Sequence, residues 1–200
     1  MFVAWVTDSH LIDSYVFLKA AIQRLTVEGR MQITRKWAMP SSNTFSIQPV
    51  ASLIARHLSG HSVDPFANTN RLATVTNDID PECKADHCMD ALDFLRTLPE
   101  WSVDTMLFDP PYSPRQVSEC YREQGRTVNM QTTQASFWGD LKAEIARVVR
   151  PGGKVLTFSW NSGGVGERYG FDIVEILLVA HGGWHNDTIC TVERKRDVLI

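Results

Sequence analysis

The sequence predicts an α/β fold built on a mixed, mostly parallel sheet of seven strands. From residue 61 onward, short apolar runs that end in Asp, Asn or Gly alternate with helical stretches, which is typical of a parallel sheet. The last two runs are joined only by Gly182 to Asn186, so they should pair as an antiparallel hairpin. With 200 residues, 44% of them hydrophobic, the chain can bury one core, and we expect one domain.

Each strand is predicted from a short apolar run bounded by turn-forming residues. The predicted strands are Ser62–Phe66, Thr74–Asp78, Ala85–Met89, Val103–Phe108, Lys154–Trp160, Asp172–His181 and Asp187–Lys195.

Two amphipathic helices are predicted from apolar residues at helical spacing. The clearer one runs from Phe137 to Val149 and is stopped by Pro151 and the two glycines after it. The other runs from Ile47 to Leu58, with Pro49 in its first turn. Residues 1–40 form a less patterned N-terminal extension, for which we predict one helix over Ser14–Leu25.

The composition excludes several classes of protein. A formal charge of −3 argues against binding nucleic acid through bulk electrostatics, so any such site must be local. The four cysteines lack the paired spacing of a zinc site or a disulfide framework, and no metal is expected. The longest apolar run is too short for a bilayer, and the N-terminus lacks the basic region of a secretory signal. We therefore expect a cytoplasmic protein without membrane association.

The strongest chemical motif is Asp109-Pro110-Pro111-Tyr112, directly after a predicted strand. Ligands of open α/β sheets bind outside the carboxyl ends of the strands, where this tetrapeptide falls. The Asp109 carboxylate and the Pro110 carbonyl can each accept a hydrogen bond from a bound group. The two prolines stiffen the loop, and Tyr112 offers a flat face for stacking a base. The competing interpretation is a Pro-rich turn with Tyr112 as ordinary packing.

This tetrapeptide resembles the [DNS]PP[YFW] hallmark of the amino-methyltransferases, and the resemblance covers roughly residues 43–195. It implies a Rossmann-like class I methyltransferase fold over residues 41–200, with S-adenosyl-L-methionine as the cofactor. It also implies that Asp109, Pro110, Pro111 and Tyr112 are catalytic. Asp at the first position resembles the DNA N6-adenine enzymes of the compact kind that phages and mobile elements carry.

The segment Asp64-Pro65-Phe66-Ala67-Asn68 resembles the family's DPFxGxG cofactor loop. Asn68 and Asn70 stand where glycines are usual, and Asn is among the few residues that tolerate left-handed backbone. The helix that normally follows this loop must be about one turn or absent, because Asp78 comes too soon after Asp64.

Three further positions are implied to bind the cofactor. Asp78 resembles the acid that binds the ribose hydroxyls, with Asp80 as its rival, and Asp90 resembles the acid that binds the adenine amine. Taken singly, each acid also fits a helix N-cap. Phe45 resembles a lid over the methionine moiety, although a hydrophobic contact with the following helix explains it equally well.

Candidate substrate contacts follow the tetrapeptide. Arg115, Arg122 and Arg126 lie in a polar segment that could clamp a nucleic acid, and Trp160 could line the base pocket or pack in the core. The chain leaves no room for a separate target-recognition domain. Whether two copies pair stays open.

The sequence thus predicts an enzyme that methylates N6 of adenine, with DNA preferred as the partner. One alternative keeps the chemistry on RNA. The other is a catalytically inactive copy of the fold that binds nucleic acid, which the replaced glycines favour and the intact tetrapeptide disfavours.

Overall fold

The computed structural model describes residues 31–124 and 135–197, and from Gln32 onward these form one compact unit. Its strands are β1 Gln32–Trp37, β2 Ser62–Asp64, β3 Val75–Asp78, β4 His87–Cys88, β5 Val103–Phe108, β6 Val149–Ser159, β7 Phe171–Ala180 and β8 Thr188–Lys195. They form a sheet in the order β1-β7-β8-β6-β5-β2-β3-β4. Only β8 runs antiparallel to its neighbours, β6 and β7.

The helices are α1 Gln48–His57, α2 Ala91–Thr97, α3 Pro114–Glu123 and α4 Ala135–Val148. Helix α1 has Pro49 in its first turn and α4 ends before the Pro-Gly-Gly run, as predicted. The helix predicted over Ser14–Leu25 lies outside the described residues. None of the helices that the structure describes is long and apolar enough to cross a membrane.

All seven predicted strands and the antiparallel hairpin are confirmed, but the described sheet has eight strands. The additional strand is β1, which pairs parallel with β7 from Gln32 to Trp37. Its side chains are almost all exposed, because β1 lies at the edge of the sheet. A strand without a buried face lacks the apolar alternation by which sequence patterns reveal strands.

The sheet separates two apolar clusters because side chains along a strand alternate between its faces. On β5 and β6, Met106, Phe108 and Val155 pack with Leu141 and Ile145 of α4. The alternate residues of the same strands face the other cluster, which contains Leu107, Leu156, Phe158 and the buried side of α1, Val50, Leu53 and Ile54. Helices therefore cover both faces of the central strands.

The parallel strands β2 to β5 end at the same edge of the sheet. From β2 the chain proceeds to β3 and β4 on one side, and then returns to β5 and β6 on the other. This reversal opens a crevice at the carboxyl ends of β2 and β5, where ligands bind in open α/β sheets. Asp64 ends β2, and Asp109 directly follows β5.

The β2–β5 pair begins at Gly60, which adopts left-handed backbone with φ of 65°. The Asp104 Oδ2 atom accepts the His61 N–H at 2.6 Å, and the Asp104 N–H donates to the His61 carbonyl at 2.8 Å. A Cβ atom on Gly60 would lie 2.2 Å from Asp104 Oδ2. Only glycine allows this approach and this backbone together.

We expect Gly60→Ala to destabilise the protein by about 2 to 3 kcal/mol, because it adds a steric clash to left-handed strain. Gly183→Ala is the matched control, since Gly183 has φ of 60° and a Cβ atom added there would have no neighbour within 4 Å. Its expected loss is about 1 kcal/mol from backbone strain alone. Urea unfolding of both variants measures the difference, and equal losses would contradict the proposed clash with Asp104.

Candidate active site

Two cavities meet at the tetrapeptide Asp109-Pro110-Pro111-Tyr112. The first has a volume of about 450 Å³ and is bounded by the loops that follow β2, β3, β4 and β5. The second, of about 390 Å³, lies between the tetrapeptide, α4 and the end of β6. The wall that they share consists of Pro110, Pro111 and Tyr112. The two cavities therefore lie against the same three residues.

Asp109 lies at the junction, partly buried, and lines the first cavity. Burial raises the pKa of its carboxyl from 3.8 to about 6, although the Tyr112 and Thr44 side chains oppose the rise. The Tyr112 hydroxyl donates to Asp109 Oδ1 at 2.5 Å. Above about pH 6 the carboxylate is mostly ionised and can accept further hydrogen bonds.

The start of α3 holds Tyr112 in place. The Tyr112 N–H donates to the Gln116 side-chain oxygen at 2.7 Å, and the Ser113 hydroxyl accepts the Gln116 N–H at 3.3 Å as the helix N-cap. Trp160, 43% exposed, contacts the Tyr112 ring edge-on with the centroids 5.3 Å apart. Trp160 thus supports Tyr112 and is not among the residues that line either cavity.

The predicted cofactor loop presents only part of itself to the first cavity. Pro65, Phe66 and Asn68 line the cavity, whereas Asp64 and Ala67 are buried behind it. Asp64 Oδ1 accepts the Phe66 N–H at 3.0 Å, but within the described part of the chain Asp64 Oδ2 has no hydrogen-bond partner. Burial, with smaller contributions from Asp109 and Asp78, raises the pKa of Asp64 to about 8. Asp64 is therefore largely neutral at pH 7.

Asparagines occupy the loop positions at which the family pattern has glycines. Asn68 has left-handed backbone with φ of 48°, and its N–H donates to Asp78 Oδ2 at 2.7 Å. The Asn70 and Asn43 amides donate to each other at 3.2 and 3.3 Å. This amide pair joins the segment before α1 to the loop between β2 and β3, which contains no helix. The short connection that the sequence predicts is confirmed.

Asp78, Asp80 and Asp90 all line the first cavity. Each also holds the backbone: Asp78 accepts the Asp80 N–H at 2.9 Å, and Asp80 caps the 3-10 turn that follows. Asp90 caps α2 through the Leu92 N–H at 2.9 Å, and its other oxygen accepts the Tyr121 hydroxyl. A carboxylate has about four acceptor positions, so capping leaves capacity for a ligand.

Phe45 does not line the first cavity, contrary to its predicted role as a lid. It is 4% exposed and packs against Phe158 with the ring centroids 4.8 Å apart. The neighbouring Asn43 and Thr44 line the cavity instead. The reason is the 3-10 turn Thr44–Ser46, which directs Phe45 into the core on the α1 side of the sheet.

The predicted arginine clamp is only partly described. Arg115 is exposed on α3 and pairs with Glu119 at 2.7 Å, and Arg122 is exposed in the last turn of the same helix. Neither lines a cavity, and Arg126 lies outside the described residues. Both described arginines are accessible to a polyanion, but the sequence alone does not distinguish a phosphate contact from an ordinary solvated surface charge.

The second cavity contains polar groups that the sequence patterns did not reveal, foremost Lys142 and Thr157. Lys142 directly follows the apolar stripe residue Leu141, and Thr157 interrupts the apolar run of β6. A polar residue inside a buried strand is a detectable signal, but only the folded chain shows that it borders a cavity. Among residues 31–124 and 135–197, no cluster of three His, Cys, Asp or Glu side chains could hold a metal ion.

No family model matches the chain, and no curated protein matches its sequence. The solved structures that match this chain include the following two. One is 1,6-didemethyltoxoflavin-N1-methyltransferase from Burkholderia thailandensis with bound 1,6-didemethyltoxoflavin and S-adenosylhomocysteine. It is 12% identical with a TM-score of 0.51, over 98% of this chain and 93% of that one.

The other is TrmN from Thermus thermophilus, 16% identical with a TM-score of 0.48 over 74% of this chain. This chain spans about half, 49%, of the TrmN chain. At these identities the likeness concerns the fold alone. The chain has the Rossmann-like α/β fold of methyltransferases, as the sequence predicts, with one strand more than expected.

The buried Asp64 makes a prediction about pH and stability. Between about pH 4 and pH 8 the folded protein retains a proton that the unfolded chain releases, so the free energy of unfolding falls as pH rises. We expect Asp64→Asn to flatten this slope and to be more stable than wild type above about pH 8. The exposed Asp93→Asn is the control and should keep the wild-type slope. Urea unfolding at several pH values measures it, and an unchanged slope in Asp64→Asn contradicts the assignment.

Proposed function

We propose that this protein is an S-adenosylmethionine-dependent methyltransferase that modifies the exocyclic N6 of adenine in DNA. The observation that carries the proposal is the position of the tetrapeptide between two cavities. One cavity suits a methyl donor and the other a flat acceptor. Of the two proposed amine acceptors, Pro110 belongs to their common wall and Asp109 lines the first cavity beside it. The resemblance of Asp109-Pro110-Pro111-Tyr112 to the N6-adenine enzymes supports the choice of adenine.

The residues of the first cavity fit the cofactor. Its volume of about 450 Å³ lies within the range of about 300 to 1,000 Å³ that is usual for small-molecule sites. Carboxylates of Asp78 or Asp80 would accept the ribose hydroxyls, and Asp90 the adenine amine. The surrounding carboxylates also favour a positively charged sulfonium. When bound, S-adenosylmethionine would supply a methyl group from its sulfur. The carbon–sulfur bond would break, and its electron pair would stay on the sulfur.

The residues of this chain then act on the acceptor amine. One N–H donates to Asp109 and the other to the Pro110 carbonyl, so the nitrogen lone pair leaves the ring plane and forms the new bond to carbon. The nitrogen becomes cationic and loses one proton, which the Asp109 carboxylate accepts and passes to solvent. Tyr112 provides the stacking face for the base in the second cavity.

The direct test incubates purified protein with labelled S-adenosylmethionine and with unmethylated DNA or RNA. Mass spectrometry of the digested nucleosides should detect N6-methyldeoxyadenosine in the DNA. Label in RNA alone would replace DNA by RNA as the substrate. Cofactor binding without transfer to either polymer would favour the inactive nucleic-acid-binding alternative.

We expect Asp109→Ala to reduce methyl transfer by about a thousandfold or more, because the amine loses its principal acceptor. Cofactor affinity should stay within about tenfold of wild type, since Asp109 acts on the acceptor. Asp90→Asn is the contrasting variant and should mainly weaken the cofactor. Calorimetry and single-turnover kinetics separate the two effects. Loss of cofactor binding in folded Asp109→Ala would contradict the assigned role.

We expect Tyr112→Phe to shift the acidic limb of the kcat/KM profile upward from about pH 6, because the Tyr112 hydrogen bond lowers the pKa of Asp109. Activity depends on the ionised carboxylate and therefore falls as pH decreases through that pKa. Tyr112→Ala should additionally lose about 10- to 100-fold in kcat/KM, since it removes the stacking face. An unmoved acidic limb in Tyr112→Phe would mean that this hydrogen bond does not influence the reacting carboxylate.

A further inference from the structure

The second cavity contains two polar side chains for which the described chain provides no partner. Thr157 is only 5% exposed, and its buried hydroxyl has no hydrogen-bond partner among the residues that the structure describes. Lys142, on α4, faces the same cavity, and no carboxylate lies within 4.0 Å of its ammonium among residues 31–124 and 135–197.

An unpaired buried hydroxyl needs an explanation, because burying a polar group without a hydrogen-bond partner is destabilising. Thr157 lies on β6 opposite Phe108 of β5, directly beneath the strand end that carries Asp109. Thr157 is one of the residues that line the second cavity, so its hydroxyl is close to any molecule bound there. A ligand would supply the partner that the fold does not.

The Lys142 ammonium is similarly able to donate a hydrogen bond to a molecule in this cavity. The nearest acid that influences it is Glu193, which is buried on β8 and attracts the ammonium. The Glu193 oxygens already accept the Val165 and Gly166 N–H groups at 2.7 and 2.8 Å. Partial burial lowers the pKa of Lys142, so its ammonium is held in a site that disfavours charge without a close counter-ion.

We infer that Lys142 and Thr157 are the specificity residues of the acceptor site, and that they donate hydrogen bonds to the ring nitrogens on either side of the exocyclic amine. This inference rests on the proposed function. Asp109 and the Pro110 carbonyl accept hydrogen bonds from both N–H groups of the amine, so other groups must contact the neighbouring ring atoms. In adenine those atoms are N1 and N7, and both are acceptors.

The chemistry of the pair disfavours a ring N–H beside the reacting amine. A lysine ammonium can only donate, whereas a threonine hydroxyl can donate or accept. A ring N–H at the position that contacts Lys142, such as the N1–H of guanine, would face a donor and lose the hydrogen bond. A site with unpaired buried donors rejects such a ring more strongly than an apolar pocket does. The pair therefore selects rings whose amine is flanked by acceptors.

The test measures binding of 2′-deoxyadenosine and of its 1-deaza and 7-deaza analogues by NMR titration. The protein is first saturated with S-adenosylhomocysteine, which occupies the first cavity. Thr157→Val and Lys142→Met remove the donors and keep the shape of the side chains. Thr191→Val is the matched control, because Thr191 is the cross-strand partner of Thr157, also has a buried unpaired hydroxyl, and does not line the cavity. Lys154→Met controls for the loss of one positive charge.

Wild type should bind each deaza analogue about tenfold more weakly than deoxyadenosine. Thr157→Val and Lys142→Met should each weaken deoxyadenosine binding about tenfold and lose discrimination against one analogue. Both control variants should behave as wild type, and Thr157→Val should fold at least as stably as wild type because it removes an unpaired hydroxyl. Discrimination that survives in both test variants would overturn the inference, as would absence of saturable binding by wild type.

This binding experiment is independent of methyl transfer. If DNA is methylated while Thr157→Val and Lys142→Met discriminate normally, the inference fails and the proposed function stands. If the variants lose discrimination but no polymer is methylated, the acceptor site is supported and the proposed reaction fails.

Discussion

The pairing of β2 with β5 is the constraint on which the rest of the structure depends. It is the point where the chain changes direction across the sheet, so it brings two loops that are distant in sequence to one crevice. Gly60 and Asp104 close the other end of the same pair. A shift of one residue in this register would exchange the two faces of one strand relative to the other. Asp64 would then lie on the opposite face of the sheet relative to the residues before Asp109.

Acidic groups dominate the first cavity, and the fold stabilises them in different ways, by hydrogen bonds or by a retained proton. Asp78, Asp80 and Asp90 accept backbone or hydroxyl hydrogen bonds and remain accessible. Asp64 has one unsatisfied oxygen and avoids a buried charge by retaining its proton. Asp109 lies between these cases, with a pKa of about 6. The same residue type thus provides structural caps, a neutral core group and the proposed amine acceptor.

Much of the fold followed from local patterns, because buried strands and α4 have clear apolar signatures. The edge strand β1 escaped prediction since its side chains face solvent. The sequence left two interpretations of Phe45 open, and the structure agrees with packing in the core beside α1, because a 3-10 turn directs the side chain there. Motif order brought the acids and the tetrapeptide to the correct edge of the sheet. Lys142 and Thr157 were missed because their cavity forms only when α4 packs on β6.

The common wall of the two cavities is confined to Pro110, Pro111 and Tyr112, and their remaining lining residues are different. Exchange of a spent small molecule on one side therefore does not require the occupant of the other side to leave. If the protein methylates a long polymer as proposed, this separation would permit several successive turnovers during a single encounter. Processivity would then follow from the architecture of the site and would not require tight binding of the polymer.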